Sequence, residues 1–439
     1  MHEEFVRFLR SASPYINAHR GRTFVVQFGG EVVASESLPA LIQDFALLHS
    51  LGIRLVVVHG IRPQIGGRLA RLGHPARFHE GLRITDDAAL QVAKEAAGTV
   101  RVEIEALLSM GLSNTPMAGA RVRAASGNFV TARPLGVRDG VDYCHTGEVR
   151  RIDTGAISAL LDQGAIVLVS PIGYSPTGEA FNLSAEGLAT ELAVELRAAK
   201  LLLIGDHTSL RDAEGRIVRQ YTLAEGRRRL AELRAAQGEE PEEAFHHLQS
   251  SIHACLNGVQ RVHLLDRRQD GVLLLELFTR DGVGTMVSGE PYEILRRASI
   301  DDVGGILDLI RPLEKEGVLV RRAREKLEQE IERFVLLERD GAVIACAALY
   351  PTDDPATAEL ACLAVAPAYR RGGLGDRLLG HAEQEARRAG GERLVVLTTH
   401  TAHWFRERGF ATADIDALPV RRKAAYNYQR NSKVLLKRL

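Results

Sequence analysis

The sequence predicts an α/β protein built from two successive domains, and three observations lead to this prediction. Between Thr23 and about Phe278, short β-rich apolar runs alternate with helical stretches. Around Val287–Tyr292 (VSGEPY) this pattern ends and another order of strands and helices begins. The chain has 439 residues, which suits about two to three domains. We therefore expect one domain over residues 1–290 and a second over 291–439.

The first domain is expected to be an αβα sandwich with a mainly parallel sheet. Its strand candidates are apolar at almost every position, as expected of strands that are buried on both faces. They are Phe24–Phe28, Leu55–His59, Ala165–Val169, Leu201–Ile204, Val262–Leu265 and Val272–Leu275. Asp86–Met110 is a helix candidate, with Thr85 at the cap position and Gly111 just past the end. Residues 1–20 are expected to form a helical arm.

The second domain is expected to start with a strand at Ile294–Ala298 and an amphipathic helix. That helix carries an apolar stripe at spacings of three and four residues, formed by Val303, Ile306, Leu307, Ile310 and Leu313. The later elements are strands Phe334–Glu338, Val343–Leu349 and Ala358–Val365, a glycine-rich turn, a helix to Ala389, strand Leu394–Thr398 and a helix at Ala402–Arg408.

Composition excludes several classes of protein. Lys plus Arg and Asp plus Glu number 56 each, so net charge favours neither a nucleic acid nor an anionic membrane as partner. Signal-peptide patterning and long apolar runs are not found. Cysteine spacing suits neither a disulfide framework nor a structural metal site, so we expect a cytoplasmic protein without metal. The cysteines are Cys144, Cys255, Cys346 and Cys362.

The strongest chemical signal is the turn Arg370–Gly375 (RRGGLG), which follows an apolar strand and opens a helix. Glycines let backbone N–H groups approach a ligand, and a helix N-terminus favours negative charge, so the turn can hold a pyrophosphate. A purely structural turn is the alternative. The turn lacks the lysine and Ser/Thr of a P-loop, and it lacks the spacing of a dinucleotide fingerprint.

This R-x-x-G-x-G turn after Val365-Ala366-Pro367 resembles the pyrophosphate loop of the GCN5-related N-acetyltransferases (GNAT), and the order of elements over 294–410 resembles their fold. The segments Val318–Arg324, His403–Phe410 and Tyr426–Lys433 resemble the bacterial N-acetylglutamate synthases. That resemblance covers nearly the whole chain. It implies acetyl-CoA as co-substrate, and it implies cofactor-binding roles for Leu363, Val365, Arg370, Arg371, Gly372, Gly373, Leu374, Gly375, Phe405 and Arg408.

The same resemblance implies direct acetyl transfer to L-glutamate, the first step of arginine biosynthesis. A protonated amine must lose a proton before it attacks a thioester, and Glu359 is expected to act as the general base. A carboxylate that merely lies at a strand edge is the alternative. Thr398 stands where members of the family carry a hydroxyl side chain. It either protonates the departing thiolate or only donates a hydrogen bond to its sulfur.

Two carboxylates on the substrate suit guanidinium groups, which grip them with two hydrogen bonds. The resemblance implies this role for Arg322 and Arg430, with Ser432 assisting. Which arginines within 321–324 contact glutamate stays open. Many family members carry arginine at the position of Asn431, so the exact contacts of the tail stay open.

The first domain resembles the amino-acid kinases, especially N-acetylglutamate kinase, through Val56–Gln64 and Ala180–Glu186. Each match is altered where phosphoryl transfer would occur. Gln27 replaces the first-strand lysine, Ile61 and Arg62 replace loop glycines, and a glutamate at the end of the second stretch replaces the catalytic aspartate. Because phosphoryl transfer depends on positioned charge, we expect a catalytically inactive, regulatory domain.

The segment Leu277–Met286 resembles the arginine pocket of arginine-inhibited relatives. The N-terminal arm resembles the element that links their subunits. This implies L-arginine as effector, with Tyr15, Asp281, Gly282 and Gly284 around it, and a homo-oligomer that is a hexamer by resemblance. Simple packing of the arm on its own domain is the alternative. The apolar side of the arm contains Phe5, Phe8, Leu9 and Ala12.

Two other functions compete with glutamate acetylation. One is acetylation of a different amine, such as another amino acid or a protein lysine, which would favour an open acidic cleft instead of an arginine pair. The other is a non-catalytic arginine sensor, which would not need the intact glycine turn or Glu359. The sequence leaves open the sign of the arginine effect.

Overall fold

The computed structural model describes residues 2–111, 117–206, 209–212, 214–236, 243–289, 293–339, 341–370 and 373–439. The chain forms two compact units, Met1–Glu290 and Pro291–Leu439. Among the helices of these described ranges, none combines the length and the hydropathy that crossing a membrane requires.

The first unit combines helices and strands in alternation. Its helices are α1 (His2–His19), α2 (Gly30–Val33), α3 (Leu38–Ser50), α4 (Arg62–Arg71), α5 (Asp87–Leu108), α6 (Thr154–Asp162), α7 (Ala185–Glu195), α8 (Leu223–Ala236), α9 (Glu243–Leu256) and α10 (Val272–Phe278). Its strands are β1 (Thr23–Phe28), β2 (Arg54–His59), β3 (Arg77–His79), β4 (Leu82–Ile84), β5 (Arg123–Ala125), β6 (Val130–Pro134), β7 (Val137–Arg138), β8 (Val141–Asp142), β9 (Gly147–Ile152), β10 (Ala165–Val169), β11 (Ile172–Tyr174), β12 (Ala180–Asn182), β13 (Lys200–Gly205), β14 (Gln220–Thr222), β15 (Arg261–Asp266) and β16 (Thr285–Ser288).

The main sheet of this unit has the strand order β14–β16–β15–β13–β1–β2–β10–β5. Neighbouring strands run parallel except β15 and β16, which are antiparallel. Phe24 and Val26 pack into the core on one face of β1, and Val25 packs into the core on the other. A strand with helices on both sides has no polar face, which explains its continuous apolar sequence. The predicted αβα sandwich is confirmed.

One strand prediction is wrong. Val272–Leu275 lies in helix α10, which begins after Gly271 in a left-handed conformation, at φ 65°. Val272, Leu273 and Leu277 are buried in the core. A short apolar run fits a buried helix as well as a buried strand, so periodicity could not decide between them. The strand next to β15 is instead formed by β16, from Thr285 to Ser288.

The cap of helix α5 also differs from the prediction. Asp86, not Thr85, is the N-cap residue, and its carboxylate accepts a hydrogen bond from the Ala89 N–H at 3.0 Å. Thr85 is fully buried and accepts hydrogen bonds from Thr146 and Asn182. Either residue type can cap a helix, and the buried network determines which of the two is free to do so.

The second unit has its own sheet and helices. Its helices are α11 (Val303–Lys315), α12 (Arg324–Gln329), α13 (Leu374–Arg388), α14 (Ala402–Arg406) and α15 (Val420–Ala424). Its strands are β17 (Glu293–Arg297), β18 (Phe334–Arg339), β19 (Ala342–Pro351), β20 (Thr357–Val365), β21 (Arg393–Thr398), β22 (Ala411–Ala413) and β23 (Lys433–Arg438).

The sheet of the second unit has the strand order β17–β18–β19–β20–β21–β23–β22. Helices α11 and α13 bury apolar stripes in two separate cores. Within α11, the predicted stripe is confirmed, because Val303, Ile306, Leu307 and Ile310 are buried and Leu313 packs against them. In the described chain, β20 and β21 pair in parallel, while the other neighbouring strands of this sheet are antiparallel.

The cap of α5 yields a stability prediction. Asp86→Ala should lower the free energy of unfolding of the first unit by about 1 kcal/mol, because the helix loses its side-chain acceptor. Asp86→Asn keeps an acceptor oxygen and should lose less. Urea unfolding followed by circular dichroism should show the shift, whereas fluorescence of Trp404, which belongs to the second unit, should not. An equal loss in both variants would assign the effect to the ion pairs of Asp86 with Arg77 and His74.

Candidate functional site

A cleft in the second unit opens where two parallel strands separate. β20 and β21 pair at Thr357–Glu359 and Arg393–Val395, and later residues of both strands line a cleft of 650 Å³. The register of β20 against β19 also shifts between Cys346 and Ala348, which marks a bulge. Strands that diverge in this way turn backbone N–H and C=O groups toward the gap, where an extended ligand can pair with them.

The glycine-rich turn forms one end of this cleft. Gly373 is the N-cap residue of α13 at φ 72°, a left-handed conformation that glycine adopts without strain. Leu374 is buried in the core at 3% exposure and anchors the helix. A Cβ atom on Gly375 would lie 2.9 Å from the Trp404 ring. Glycine is therefore needed at 375 for the indole to pack against the helix N-terminus.

Most of the residues predicted to bind the cofactor lie together. Leu374 is in the core instead of the cleft wall, and Arg371 and Gly372 lie outside the described residues. The predicted residues that line the cleft are Leu363, Val365, Arg370, Gly373, Gly375, Thr398, Phe405 and Arg408.

The wall opposite the strands is stiffened by aromatic and charged contacts. The Arg408 guanidinium lies over the Trp404 ring, 3.9 Å from its centroid, and pairs with the Asp376 carboxylate of α13. The hydrogen bond from Arg408 holds the pKa of Asp376 below its ordinary value. Phe405 is buried and meets Trp404 edge to face, with ring centroids 4.9 Å apart. Cation–π and ion-pair contacts thus join α13 to α14.

Glu359 and Thr398 lie on the two diverging strands. The Glu359 carboxylate, 13% exposed, accepts a hydrogen bond from Arg422 Nε of α15 at 2.6 Å. The Thr398 hydroxyl accepts the Thr401 N–H at 3.1 Å and lies 2.8 Å from the Thr401 hydroxyl. Arg422 was missed by the sequence analysis, because its place in a charged stretch gave it the pattern of a solvated surface residue.

The predicted glutamate-binding residues occupy different surroundings. Arg322 donates to the Tyr350 hydroxyl at 2.7 Å and pairs with Glu330 at 3.2 Å. It lines a basic cavity next to α11 together with Arg311, Lys315, Arg321 and Arg324.

Arg430 lies next to the cleft. Its Nη2 donates to the Val318 carbonyl at 2.5 Å and to the Gly317 carbonyl at 3.2 Å, and Val318 lines the cleft. The carbonyl of Ser432 accepts the Tyr426 hydroxyl at 2.6 Å, which holds the tail in place. The hydrogen bonds to the Gly317 and Val318 carbonyls hold Arg430, one of the two predicted arginines, at the rim of the cleft.

A second site candidate lies in the first unit, at the segment predicted for the effector. Gly282 has φ 58°, and the N–H groups of Val283 and Gly284 donate to the Glu276 carboxylate at 2.6 and 2.8 Å. The Gly284 N–H, which we expected to face a ligand, is thus bound within the chain. Tyr15 packs against the adjacent core. Asp281 is exposed.

Three buried polar residues next to this segment were missed. Lys200 Nζ lies 3.0 Å from His263 Nε2, and His263 Nδ1 lies 2.6 Å from the Glu276 carboxylate. Burial lowers the pKa of His263 to about 4. Burial alone would raise the pKa of Glu276, but the His263 hydrogen bond and two backbone N–H groups hold it well below its ordinary value. A charged glutamate inside the apolar run VLLLELF was the available signal.

Comparison with known proteins agrees with this organisation. The amino acid kinase family model matches residues 22–266, and the acetyltransferase (GNAT) family model matches 305–410. An amino-acid acetyltransferase of Pseudomonas putida (strain GB-1) is 54% identical over 437 residues, which is 99% of this chain and 100% of the relative.

Two solved structures cover the chain almost completely. Both are N-acetylglutamate synthase from Neisseria gonorrhoeae, 39% identical over 99% of each chain. The complex with coenzyme A and L-arginine has a TM-score of 0.89, and the complex with coenzyme A and N-acetyl-glutamate has a TM-score of 0.63. From the full-length identity and the two matched domains, we conclude that this chain belongs to the amino-acid acetyltransferase family, with an amino-acid-kinase domain followed by a GNAT domain.

Proposed function

We propose that this enzyme transfers the acetyl group of acetyl-CoA to the α-amine of L-glutamate and that L-arginine inhibits it. The observation that carries the proposal is the cleft, where the glycine turn, the diverging strands and Thr398 meet. The coenzyme A and N-acetyl-glutamate in the complex of the gonococcal relative support the same substrates here.

The cleft suits the parts of coenzyme A. Gly373 and the N-terminus of α13 offer backbone N–H groups and positive potential to a pyrophosphate, and Arg370 adds a guanidinium beside them. The edges of β20 and β21 offer hydrogen-bonding groups to an amide-containing arm. Bound acetyl-CoA supplies the acetyl group as a thioester.

Glu359 and Thr398 have the chemistry that the reaction needs. Thr398 lines the cleft, and Glu359 directly precedes Leu360, the first residue of β20 in the cleft lining. Glu359 takes a proton from the ammonium group of glutamate, directly or through one water, while Arg422 fixes the carboxylate orientation. The amine nitrogen then forms a bond to the acetyl carbon, the C–S bond breaks, and the second proton leaving the nitrogen passes to the thiolate, so that an amide and a free thiol are formed. When the Thr401 hydroxyl donates to Thr398, the O–H of Thr398 is free to donate to the departing sulfur.

Two predicted arginines near the cleft suit an acidic amino acid as the acetyl acceptor, and the cleft lining itself contains Glu316 and Asp376 beside Arg370 and Arg408. Arg430 lies next to the rim, and Arg322 belongs to a basic cavity with other arginines. We propose that Arg430 and Arg322 bind the two carboxylates of glutamate, with Ser432 in the same tail.

The first unit is proposed to regulate without phosphorylating. Gln27, which stands where a kinase-type lysine would lie, is fully buried, and neither amide atom has a hydrogen-bond partner in the described chain. Ile61 is 3% exposed, and a Cβ on Gly60 would lie 2.7 Å from the Gly30 nitrogen. The two loops that would hold a phosphate therefore nearly touch, and position 27 provides an amide instead of the positive charge of a lysine.

The arginine site is proposed at Glu276 and the loop that follows it. A buried, charged carboxylate is a strong partner for a guanidinium, and Tyr15 of α1 packs against the same core. Phe5 is 62% exposed and Leu9 is 46% exposed. Such an exposed apolar side on α1 supports the proposal that the arm links subunits in a homo-oligomer.

The role of Glu359 is tested with Glu359→Gln, which keeps shape but removes the base. We expect kcat to fall by roughly 10²–10⁴-fold, the usual contribution of a general base, while the KM for acetyl-CoA stays the same. The control is Glu332→Gln, which makes the same substitution at an exposed position of the second unit. Steady-state thiol release at neutral pH measures both, and near-normal turnover would remove Glu359 from the mechanism.

The cofactor end of the cleft is tested with Gly375→Val. Its side chain would collide with Trp404, and overpacking of about 1–3 kcal/mol should raise the KM for acetyl-CoA roughly tenfold. Gly380→Ala, on the same helix but with open space around it, should leave the KM unchanged. Equal values of KM for both variants would show that Trp404 does not form the cofactor wall.

The arginine site is tested by calorimetry on the full chain. Wild-type protein should bind L-arginine, and Glu276→Gln should bind at least tenfold more weakly, because a charge-assisted pair contributes about 1.5–3 kcal/mol. Glu214→Gln, an exposed change in the same unit, should bind like wild type. Full arginine affinity in Glu276→Gln would place the effector elsewhere, and competition with glutamate would make arginine a substrate mimic.

A further inference from the structure

Tyr350 lies on the strand next to the proposed base. β19 and β20 pair in antiparallel orientation, and Tyr350 is directly opposite Glu359. Residues that face each other in this way carry their side chains on the same side of the sheet. Tyr350 packs against the core that α11 covers. The tyrosine and the proposed base therefore lie side by side, on the side of the sheet that faces α11.

The Tyr350 hydroxyl makes two hydrogen bonds with opposite roles. It accepts an N–H from Nη1 of Arg322 at 2.7 Å, and it donates to the Glu330 carboxylate at 2.7 Å. Burial, and then the Glu330 hydrogen bond, raise the pKa of Tyr350 well above its ordinary value, so the hydroxyl keeps the proton that it donates. The hydroxyl thus joins a cation to a carboxylate.

The Arg322 side chain is held along its whole length. Its backbone N–H donates to the Glu314 carboxylate of α11 at 2.9 Å. Its guanidinium lies over the Tyr350 ring, 5.4 Å from the centroid, and over the Phe334 ring, 5.9 Å from the centroid. Nη1 pairs with Glu330 at 3.2 Å in addition to its bond with the tyrosine. Packing and hydrogen bonds of this kind hold a ligand-binding group in one arrangement.

These contacts leave part of the guanidinium for a ligand. Nη1 serves Tyr350 and Glu330, whereas Nε is buried and has no hydrogen-bond partner in the described chain. A guanidinium binds a carboxylate through two parallel N–H groups, and the edge formed by Nε and Nη2 has the geometry of such a pair. An N–H that has lost water without gaining a partner is costly until an acceptor arrives.

Arg322 also reaches the wall of the cleft. Burial raises the pKa of the Cys362 thiol, and the charge and hydrogen bond of Arg322 oppose this rise. Cys362 lines the cleft and belongs to β20, the strand that carries Glu359. The guanidinium that Tyr350 holds is therefore next to the cleft wall, on the strand of the proposed base.

We propose that Tyr350 is a positioning residue for the amino-acid substrate. Its hydroxyl holds the Arg322 guanidinium at a fixed distance from Glu359, so that a carboxylate bound to Arg322 brings the amine of the same molecule to the base. This inference rests on the proposed acetylation of glutamate, and it adds the means by which the enzyme selects an amine that carries a carboxylate. Tyr350 acts through Arg322, and Glu330 orients the hydroxyl by accepting its hydrogen bond.

The test is Tyr350→Phe, which keeps the ring and removes the hydroxyl. Glu330 then pairs with Arg322 alone and should draw the guanidinium away from its position. The KM for glutamate should rise about tenfold, the factor expected for one hydrogen bond to a charged group. Both kcat and the KM for acetyl-CoA should change by less than about twofold, since the chemistry and the cofactor site are intact. Steady-state thiol release measures all three values.

Two control variants separate the hydroxyl from its surroundings. Arg333→Met removes an exposed cation that lies over the same ring, 5.2 Å from the Tyr350 centroid, and leaves the hydroxyl in place. Tyr174→Phe makes the same substitution as the test variant at an exposed tyrosine of the first unit. Both should keep the wild-type KM for glutamate.

A series of acceptors distinguishes positioning from general damage. Glutamine lacks the side-chain carboxylate of glutamate, and isoglutamine lacks the α-carboxylate. Tyr350→Phe should lower kcat/KM about tenfold for glutamate, but it should leave kcat/KM nearly unchanged for the amide that lacks the carboxylate bound by Arg322. A merely structural role would lower kcat/KM by the same factor for every acceptor. The comparison does not depend on the folded fraction, because one enzyme preparation serves all acceptors.

The possible outcomes separate this inference from the function on which it rests. An unchanged KM for glutamate in Tyr350→Phe, an equal loss with all acceptors, or an equal rise of KM in Arg333→Met would overturn the role of Tyr350 and leave glutamate acetylation in place. Failure of the wild-type enzyme to acetylate glutamate would overturn both.

Discussion

The acetyltransferase unit depends on the place where β20 and β21 cease to pair. A sheet normally satisfies its backbone groups by pairing every strand along its length, and here pairing is given up after Glu359 and Val395. The gap gives the cleft its walls, and the ends of the two strands lead to the glycine turn and to Thr398. Binding of an extended ligand, the position of the proposed base and the place of the hydroxyl all follow from this divergence.

Prediction from sequence succeeded where one physical signal dominated. Continuous apolar runs such as Val56–Val58 indicated strands with two buried faces, and the stripe on α11 indicated a helix with one. It failed for Val272–Leu275, because four apolar residues suit a helix and a strand equally. The cap at Asp86 was missed because its neighbour Thr85 is drawn into a buried hydrogen-bond network that only the tertiary structure reveals.

The site shows the same division. The glycine turn could be found because its backbone requirement is local, and local requirements leave a readable pattern. The partner Arg422 could not, since it contacts Glu359 only after folding. Glu276 left a signal, a charge inside an apolar run, but its partner His263 is revealed only by the fold. Arg322 was predicted as a ligand-binding residue by the family resemblance. Only the folded structure shows its contacts with Tyr350 and Glu330.

The first unit keeps the fold of the amino acid kinase family, while residues such as Gln27 support the proposal that it no longer transfers a phosphoryl group. The apolar cores on the two faces of its sheet are independent of the residues that would transfer a phosphoryl group. Gln27 stands in the middle of β1, and its amide has no hydrogen-bond partner among the described residues. The surrounding packing of Phe24 and Val26 offsets this cost.

Glu276 holds the backbone of the following loop as an internal ligand would, by accepting the N–H groups of Val283 and Gly284. An arginine that enters the proposed site must first compete with these bonds. The apparent affinity for arginine is therefore the intrinsic affinity multiplied by the fraction of molecules in which the carboxylate is free. If arginine acts as proposed, this internal competition raises the arginine concentration at which half of the sites are filled.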